Sequence, residues 1–274
     1  MKNLQLRFLV VIGAQKCGTT SVFEALKTLP NVAPARQKEL GFFNSPDKWA
    51  FGLQWYLKQW PRDAWRQGRW LLEASTVYTA QQDVDCEWFV GARMREWADR
   101  YGATFTLIYC VRDPVARFIS AVASAWAQGL FAGDIEDAQN DYRYWGPSCF
   151  AKYIKAYRRS GFEPVLVDVT QGEPLTITLD GQTHTVRPSR HNVTSQKASI
   201  LWQERFFAKH PRTRHLLRSC LPLSSRRRLS GLLTRRPVLP TLTDDQRTRL
   251  VSRLLAECGG PDQWGPELPP LGSP

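Results

Sequence analysis

Residues 7–21 read RFLVVIGAQKCGTTS. The apolar, β-branched run Phe8–Ile12 predicts a buried strand ending at Gly13. A short loop with Lys16 and Gly18 follows. Thr19 and Thr20 then open a helical pattern to about Leu29, with Val22, Ala25, Leu26 and Leu29 on one face, stopping before Pro30. A strand, a loop and a helix N-terminus in this order make an anion site, because backbone N–H groups and the positive end of the helix dipole converge on it. Gly13 and Gly18 have the separation of the nucleotide loop G-x-x-x-x-G-K-[ST], yet Thr19 stands where that loop has lysine. The lysine comes earlier, at Lys16, displaced from the position that serves a β- or γ-phosphate. A glycine-rich turn can be purely structural, but Lys-x-Gly-Thr-Thr adds donors that a structural turn does not need.

Working outward, residues 31–69 are aromatic and loop-rich, with a short strand expected at Trp70–Glu73 and a helix over Asp85–Tyr101. Thr104–Val111 reads as a buried strand, broken by Arg112-Asp113-Pro114. Pro114 suits the first turn of a helix, where its missing N–H costs nothing. That helix runs to about Gln128. Phe150–Arg159 is a further helix and Pro164–Val169 a third core strand. Asp180-Gly181 between Leu175–Leu179 and Gln182–Val186 is a β-hairpin signal. Ser199–His210 and Asp244–Cys258 read as helices. The alternation predicts an α/β fold, a P-loop-like central parallel sheet flanked by helices. With no repeat and no linker, the chain reads as a single domain. Its core is about 5–170, followed by the hairpin and a basic C-terminal subregion at about 171–258 and an irregular tail at 259–274.

With 274 residues, 43% of them hydrophobic, the chain can bury a full core. Its formal charge of +12 is unevenly placed. The span Arg187–Arg249 holds 15 Lys/Arg against 3 Asp/Glu, which is the whole excess. Such a surface favours polyanions. Arg226–Arg228 and Arg235–Arg236 are either an attractor for an anionic acceptor or membrane surface, or an ordinary solvated face. The six cysteines form no C-x-x-C pair and have no histidine neighbours, which argues against zinc, and no metal site is expected. Cys17 in the loop and Cys110 in a strand do not suit a disulfide framework, so a reducing, cytoplasmic setting is expected. The N-terminal apolar run is too short to span a bilayer, and no small-x-small cleavage site follows it. The protein is expected to be at most peripheral to a membrane.

A second motif, VRDPVARFISA at 111–121, places Arg112 at the carboxyl end of a strand and Ser120 about two helical turns on. In an open parallel sheet ligands gather at strand carboxyl ends, and a guanidinium fork with a hydroxyl can hold a phosphate there. Together with QKCGTT this resembles the paired signature of the sulfotransferases that use 3′-phosphoadenosine-5′-phosphosulfate (PAPS). KELGFFN at 38–44, followed by GLQWYLKQWP at 52–61, resembles the K-E-x-x-F-F segment of the heparan-sulfate-type enzymes, and EASTVY at 73–78 their acceptor-side strand. The similarity extends over about residues 5–170, nearest to the heparan-sulfate-type and bacterial carbohydrate sulfotransferases. Ala74 departs from it, standing where the heparan enzymes carry lysine.

The resemblance implies roles. Gln15, Lys16, Cys17, Gly18, Thr19, Thr20 and Ser21 would hold the 5′-phosphosulfate, Arg112 and Ser120 the 3′-phosphate, and Lys197, within Arg190–Lys197, would lie near the cofactor. Lys16 would stabilise the leaving oxygen, Glu39 would be the base, and Lys38 would assist at the sulfate, with no metal. His184 and His191 are rival bases. Trp49, Trp55, Tyr56 and Trp60 are either sugar-stacking faces or core. The acceptor would be a carbohydrate or glycoconjugate hydroxyl or amine, with a small-molecule or lipid metabolite as the alternative. Outside this class stand a phosphate-loop nucleotide kinase, which the missing lysine after Gly18 disfavours, and a polyanion- or nucleic-acid-binding module on the basic third, for which no nucleic-acid motif is found.

Overall fold

The computed structural model describes residues 5–128, 130–131, 133–170, 172, 174–189 and 241–258. Among these residues the strands are β1 (Arg7–Gly13), β2 (Val32–Pro34), β3 (Trp70–Ala74), β4 (Thr104–Cys110), β5 (Val165–Val167), β6 (Leu175–Leu179) and β7 (Gln182–Val186). The helices are α1 (Thr19–Leu26), α2 (Pro46–Ala50), α3 (Gly52–Leu57), α4 (Arg62–Arg66), α5 (Val90–Tyr101), α6 (Pro114–Gln128), α7 (Ile135–Asn140), α8 (Tyr142–Trp145), α9 (Phe150–Arg159) and α10 (Asp244–Cys258). A 3-10 turn, Thr76–Thr79, follows β3.

The expected α/β architecture is present. Five strands form one sheet in the order β2-β3-β1-β4-β5, and every pairing is parallel. β1 is central, and Phe8 to Ile12 are fully buried. This explains its uninterrupted apolar run, since a parallel strand covered on both faces has no solvent side to mark by alternation. The register pairs Val11 with both Ala74 and Ile108, so the ends of β1, β3 and β4 lie level. Cys110 pairs with Val167 beyond them.

The hairpin β6–β7 has the expected bounds, and Asp180 and Gly181 both take positive φ, 54° and 77°, as a two-residue turn of this kind requires. Asp180 ties the hairpin to the sheet: Arg7 pairs with it, and the Trp70 indole N–H donates to its Oδ2 at 3.1 Å.

Where element bounds differ from the sequence reading, a local hydrogen bond explains the difference. Helix α1 ends at Leu26 because Thr28 and Leu29 donate three residues back, tightening the last turn. Helix α5 begins at Val90 rather than Asp85. Asp83 Oδ1 accepts the Asp85 N–H at 2.9 Å, and this side-chain turn delays the helix. The third core strand closes at Val167, since Asp168 Oδ1 accepts the Thr170 N–H at 2.8 Å in the same kind of turn. β2 and the short helices α2–α4 lie in the segment read as loop-rich. Ser199–His210 lies outside the described residues, as do Arg226–Arg228, Arg235–Arg236 and the tail.

Phe42 and Phe43 are fully buried and anchor an aromatic cluster. Phe42 stacks on Tyr56 at 4.4 Å and meets Trp97 edge-on at 4.9 Å. Tyr56 and Trp60 are core; Trp49 and Trp55 are partly buried against it.

The cysteine reading needs correction. Cys149, just before α9, is disulfide-bonded to Cys258 at the end of α10, with Cα atoms 5.1 Å apart. A separation of 109 residues hid the pair from the sequence. Disulfides persist mainly in oxidising surroundings, so the cysteines no longer argue for a reducing compartment. The bond fastens α10, whose Leu250, Leu254 and Cys258 are buried in a cluster with Val115, Phe118 and Val122 of α6. No helix among the described residues is long and apolar enough to cross a membrane. Closing so long a loop contributes at most about 4–5 kcal/mol in the chain-entropy limit. Cys258→Ser should therefore lower the Tm measured without reductant, and dithiothreitol should lower the wild-type Tm to the same value. A wild-type Tm indifferent to reductant contradicts the bond.

Candidate functional site

The loops after all five parallel strands leave the carboxyl rim of the sheet. Residues 14–18 follow β1, and 35–44 follow β2. Residues 75–79, 111–113 and 168–170 follow β3, β4 and β5.

The β1 loop has the shape expected of an anion cradle. Lys16 and Gly18 both take positive φ, 72° and 79°, and Gly18 is the left-handed N-cap of α1. No side chain caps that helix, which leaves its first-turn N–H groups without a side-chain acceptor. Gly18 has no room for a side chain: a Cβ there would lie 2.1 Å from Val169 Cγ2. Gln15 is exposed, Lys16, Gly18 and Thr20 are half-buried, and Cys17, Thr19 and Ser21 are buried.

The β2 loop crosses over this cradle. Lys38 Nζ donates to Thr20 Oγ1 at 3.0 Å and to Thr19 Oγ1 at 3.4 Å. It also lies 3.3 Å from Glu39 Oε1. Glu39 takes a left-handed conformation, φ 64°. Its other oxygen, Oε2, accepts from the Thr76 N–H at 2.7 Å and the Thr76 hydroxyl at 3.1 Å. Its own N–H donates to the Ala74 carbonyl at 2.8 Å. Four of the expected residues, Thr19, Thr20, Lys38 and Glu39, thus form one connected cluster.

From the β4 loop, Arg112 Nη1 donates to the Lys16 carbonyl at 3.2 Å, joining the second motif to the first. Arg112 Nε is buried with no partner among the described residues. The same holds for Nη1 of Arg117, a fully buried guanidinium whose Nε donates to Ser148 Oγ at 2.5 Å. Burial brings the Arg117 pKa down to about 10. Ser120 is half-buried on α6 and makes no hydrogen bond to Arg112. Lys197 and His191 lie outside the described residues. His184 is on β7 of the hairpin, not in the rim cluster.

Three features escaped the sequence reading. Arg117 is one. The second is Asp168, whose Oδ2 is buried without a partner among the described residues and whose charge reaches Cys17 and Cys110. The third is Glu73, fully buried at the end of β3, which accepts from Ser75 Oγ and Tyr78 OH, each at 2.6 Å, and from Tyr56 OH. Burial pushes the Glu73 carboxyl up; the three hydroxyl bonds oppose that, and Glu39 adds to it. Glu73, Ser75 and Tyr78 lie in the quoted EASTVY segment, but Tyr56 joins them only in the fold.

Orphaned guanidinium N–H groups, an uncapped helix N-terminus and two threonine hydroxyls are what a multiply charged phosphate ligand needs. A separate cleft of about 500 Å³, lined by Glu24, Ala25, Thr28, Thr185, Val186, Arg187 and Ser189, contains none of these residues.

The chain is 30% identical over 116 residues to heparan sulfate glucosamine 3-O-sulfotransferase 5 of Mus musculus and 29% identical over 116 residues to its Homo sapiens counterpart. These relatives are sulfotransferases. Each match covers 42% of this chain and 30% of the relative, so the chain spans less than a third of the curated relatives it matches. A crystal structure of a sulfotransferase from Alicyclobacillus acidocaldarius superposes with a TM-score of 0.48 at 16% identity, covering 91% of each chain. No family model matches. The sulfotransferase resemblance read from the motifs therefore agrees with the relatives found by sequence.

Burial pushes the Cys17 thiol up to about 12 and the Cys110 thiol well above its ordinary value. A neutral, buried thiol is a poor nucleophile. Iodoacetamide at pH 8 should therefore label the half-buried Cys86 of the native protein and spare Cys17 and Cys110, as read by peptide mass mapping. Labelling of Cys17 at the rate of Cys86 contradicts the burial of Cys17.

Proposed function

We propose that this protein is a PAPS-dependent sulfotransferase acting on a hydroxyl or amine of a carbohydrate or glycoconjugate. The observation that carries the reading is the contact of Lys38 with both Thr19–Thr20 and Glu39. A cation, a carboxylate and a phosphate loop meet there, and sulfuryl transfer needs all three.

The reaction is an in-line displacement. The bond from sulfur to the 5′-phosphate oxygen breaks, and a bond from sulfur to the acceptor oxygen or nitrogen forms. The acceptor's proton goes to a base, and adenosine 3′,5′-bisphosphate leaves. As in phosphoryl transfer, positioning and electrostatics supply most of the catalysis.

In this reading the β1 loop and the first turn of α1 bind the 5′-phosphate through backbone N–H groups and the Thr19 and Thr20 hydroxyls. Lys16, in its left-handed conformation, balances charge on the leaving oxygen. Lys38 serves the sulfuryl oxygens beside it. Glu39 takes the proton: Thr76 fixes one of its oxygens, and the other faces Lys38. Arg112 offers its buried Nε to the 3′-phosphate, and Ser120 its hydroxyl. Support for a carbohydrate acceptor comes from the relatives, which act on heparan sulfate glucosamine.

The nucleotide-kinase reading separates from this one by ligand preference. A ligand that binds only the native state raises Tm, by the equivalent of about 2.7 kcal/mol at a hundred times its Kd. Adenosine 3′,5′-bisphosphate should raise Tm well above the value with ATP and Mg²⁺; the reverse order sinks the sulfotransferase reading.

Two substitutions test the assigned roles. Lys16→Ala should lower turnover by about two orders of magnitude or more, the scale of one lost transition-state partner. Glu39→Gln should remove turnover while leaving bisphosphate affinity nearly unchanged. Glu39→Gln turning over at the wild-type rate moves the base elsewhere.

A further inference from the structure

The segment bearing Lys38 and Glu39 is held from below by an arrangement that the catalytic roles do not use. Gly41 N–H donates to Ser75 Oγ at 2.9 Å. Phe42 and Phe43 N–H groups both donate to Tyr78 OH, at 2.9 and 3.3 Å. A hydroxyl has one proton to give and two lone pairs to receive with. Three amides of the loop therefore need Ser75 and Tyr78 to act as acceptors, with their own protons directed elsewhere. Those protons go to Glu73 Oε1, and the proton of Tyr56 goes to Oε2.

We propose that Glu73 is the positioning residue of the site: by drawing the Ser75 and Tyr78 protons inward, it turns both hydroxyls into acceptors for Gly41, Phe42 and Phe43, and so fixes the loop that aims Glu39. The inference rests on the functional reading only for what the loop aims. Three facts make the carboxylate specific to this task. Glu73 is fully buried and makes no hydrogen bond to the backbone of residues 38–43, acting through Ser75 and Tyr78. Ser75 is likewise fully buried, so no water competes for its lone pairs. The loop needs external restraint, because Glu39, which is not a glycine, sits at positive φ, 64°. An apolar residue at 73 would leave the two hydroxyl protons without a common acceptor, free to turn toward the loop and oppose the amides.

The test compares Glu73→Leu, Glu73→Gln and Tyr78→Phe with wild type. It reads amide hydrogen exchange at Gly41–Phe43 and, separately, kcat and KM for sulfuryl transfer from PAPS, with bisphosphate affinity as control. In Glu73→Leu, protection at Gly41–Phe43 should fall about tenfold or more, the equivalent of one net hydrogen bond. kcat should fall with it, while KM for PAPS and bisphosphate affinity stay within about twofold and β1 amides keep their protection. Glu73→Gln should recover most of both losses, because its amide oxygen can accept from Ser75 and Tyr78 together. Should Glu73→Leu fail to fold, Tyr78→Phe removes the Phe42 and Phe43 acceptor alone and should show the same pairing of lost protection and lost kcat. Unchanged exchange at Gly41–Phe43 in the folded variants overturns the proposal. So does loss of kcat with an equal loss of bisphosphate affinity. A wild-type chain that neither binds the bisphosphate nor transfers sulfuryl from PAPS refutes the functional reading instead, and the exchange data still decide whether Glu73 sets the loop.

Discussion

The site exists because β1 is hydrogen-bonded in parallel to β3 on one side and to β4 on the other. Parallel neighbours end at the same rim, so the loops that follow them meet there whatever their separation in sequence. The phosphate loop, the Ser75–Tyr78 turn and Arg112 come from residues near 16, 76 and 112, and the register sets their strand ends level. Burial of Phe8–Ile12 keeps that register from slipping, since a shift would break the ladders on both sides of β1.

On this frame the charges are sorted by depth. Donors gather at the rim: the helix N-terminus, the threonine hydroxyls, Lys38 and Arg112, whose Nη1 reaches the Lys16 carbonyl. Of two carboxylates, one lies beneath it and one upon it. Glu73 is buried beneath three hydroxyls, and Glu39 shares its two oxygens between Thr76 and Lys38. A rim with this sorting attracts an anion and keeps one carboxylate beside it available for proton transfer. Burying Glu73 costs desolvation, and its three short donors offset that cost while ordering the loop above.

What could be read from the sequence was whatever one segment states by itself. β1, α6, α9, α10 and the Asp180-Gly181 hairpin emerge where run length, Pro114 and turn chemistry placed them. The pairing of QKCGTT with VRDPVARFIS was legible as two anion motifs, and the Arg112–Lys16 bond joins them. Lys38 and Glu39 were legible only through resemblance, since an exposed Lys-Glu pair has no distinctive spacing. The rest depends on tertiary contacts. Glu73 reads as part of an apolar strand, and its meaning comes from Tyr56 and Tyr78 on other elements. Cys149 and Cys258 are 109 residues apart. β2 has three residues, too few to show a period against its aromatic surroundings.

Under the proposed function, the β1 loop and the Arg112 region grip the two ends of one doubly phosphorylated adenosine. A crystal structure with adenosine 3′,5′-bisphosphate tests it most directly. The account predicts the 5′-phosphate against the backbone of Lys16–Thr20 and the 3′-phosphate within hydrogen-bonding distance of Arg112 and Ser120. The nucleotide bound elsewhere, for instance in the cleft lined by Glu24 and Arg187, would contradict it.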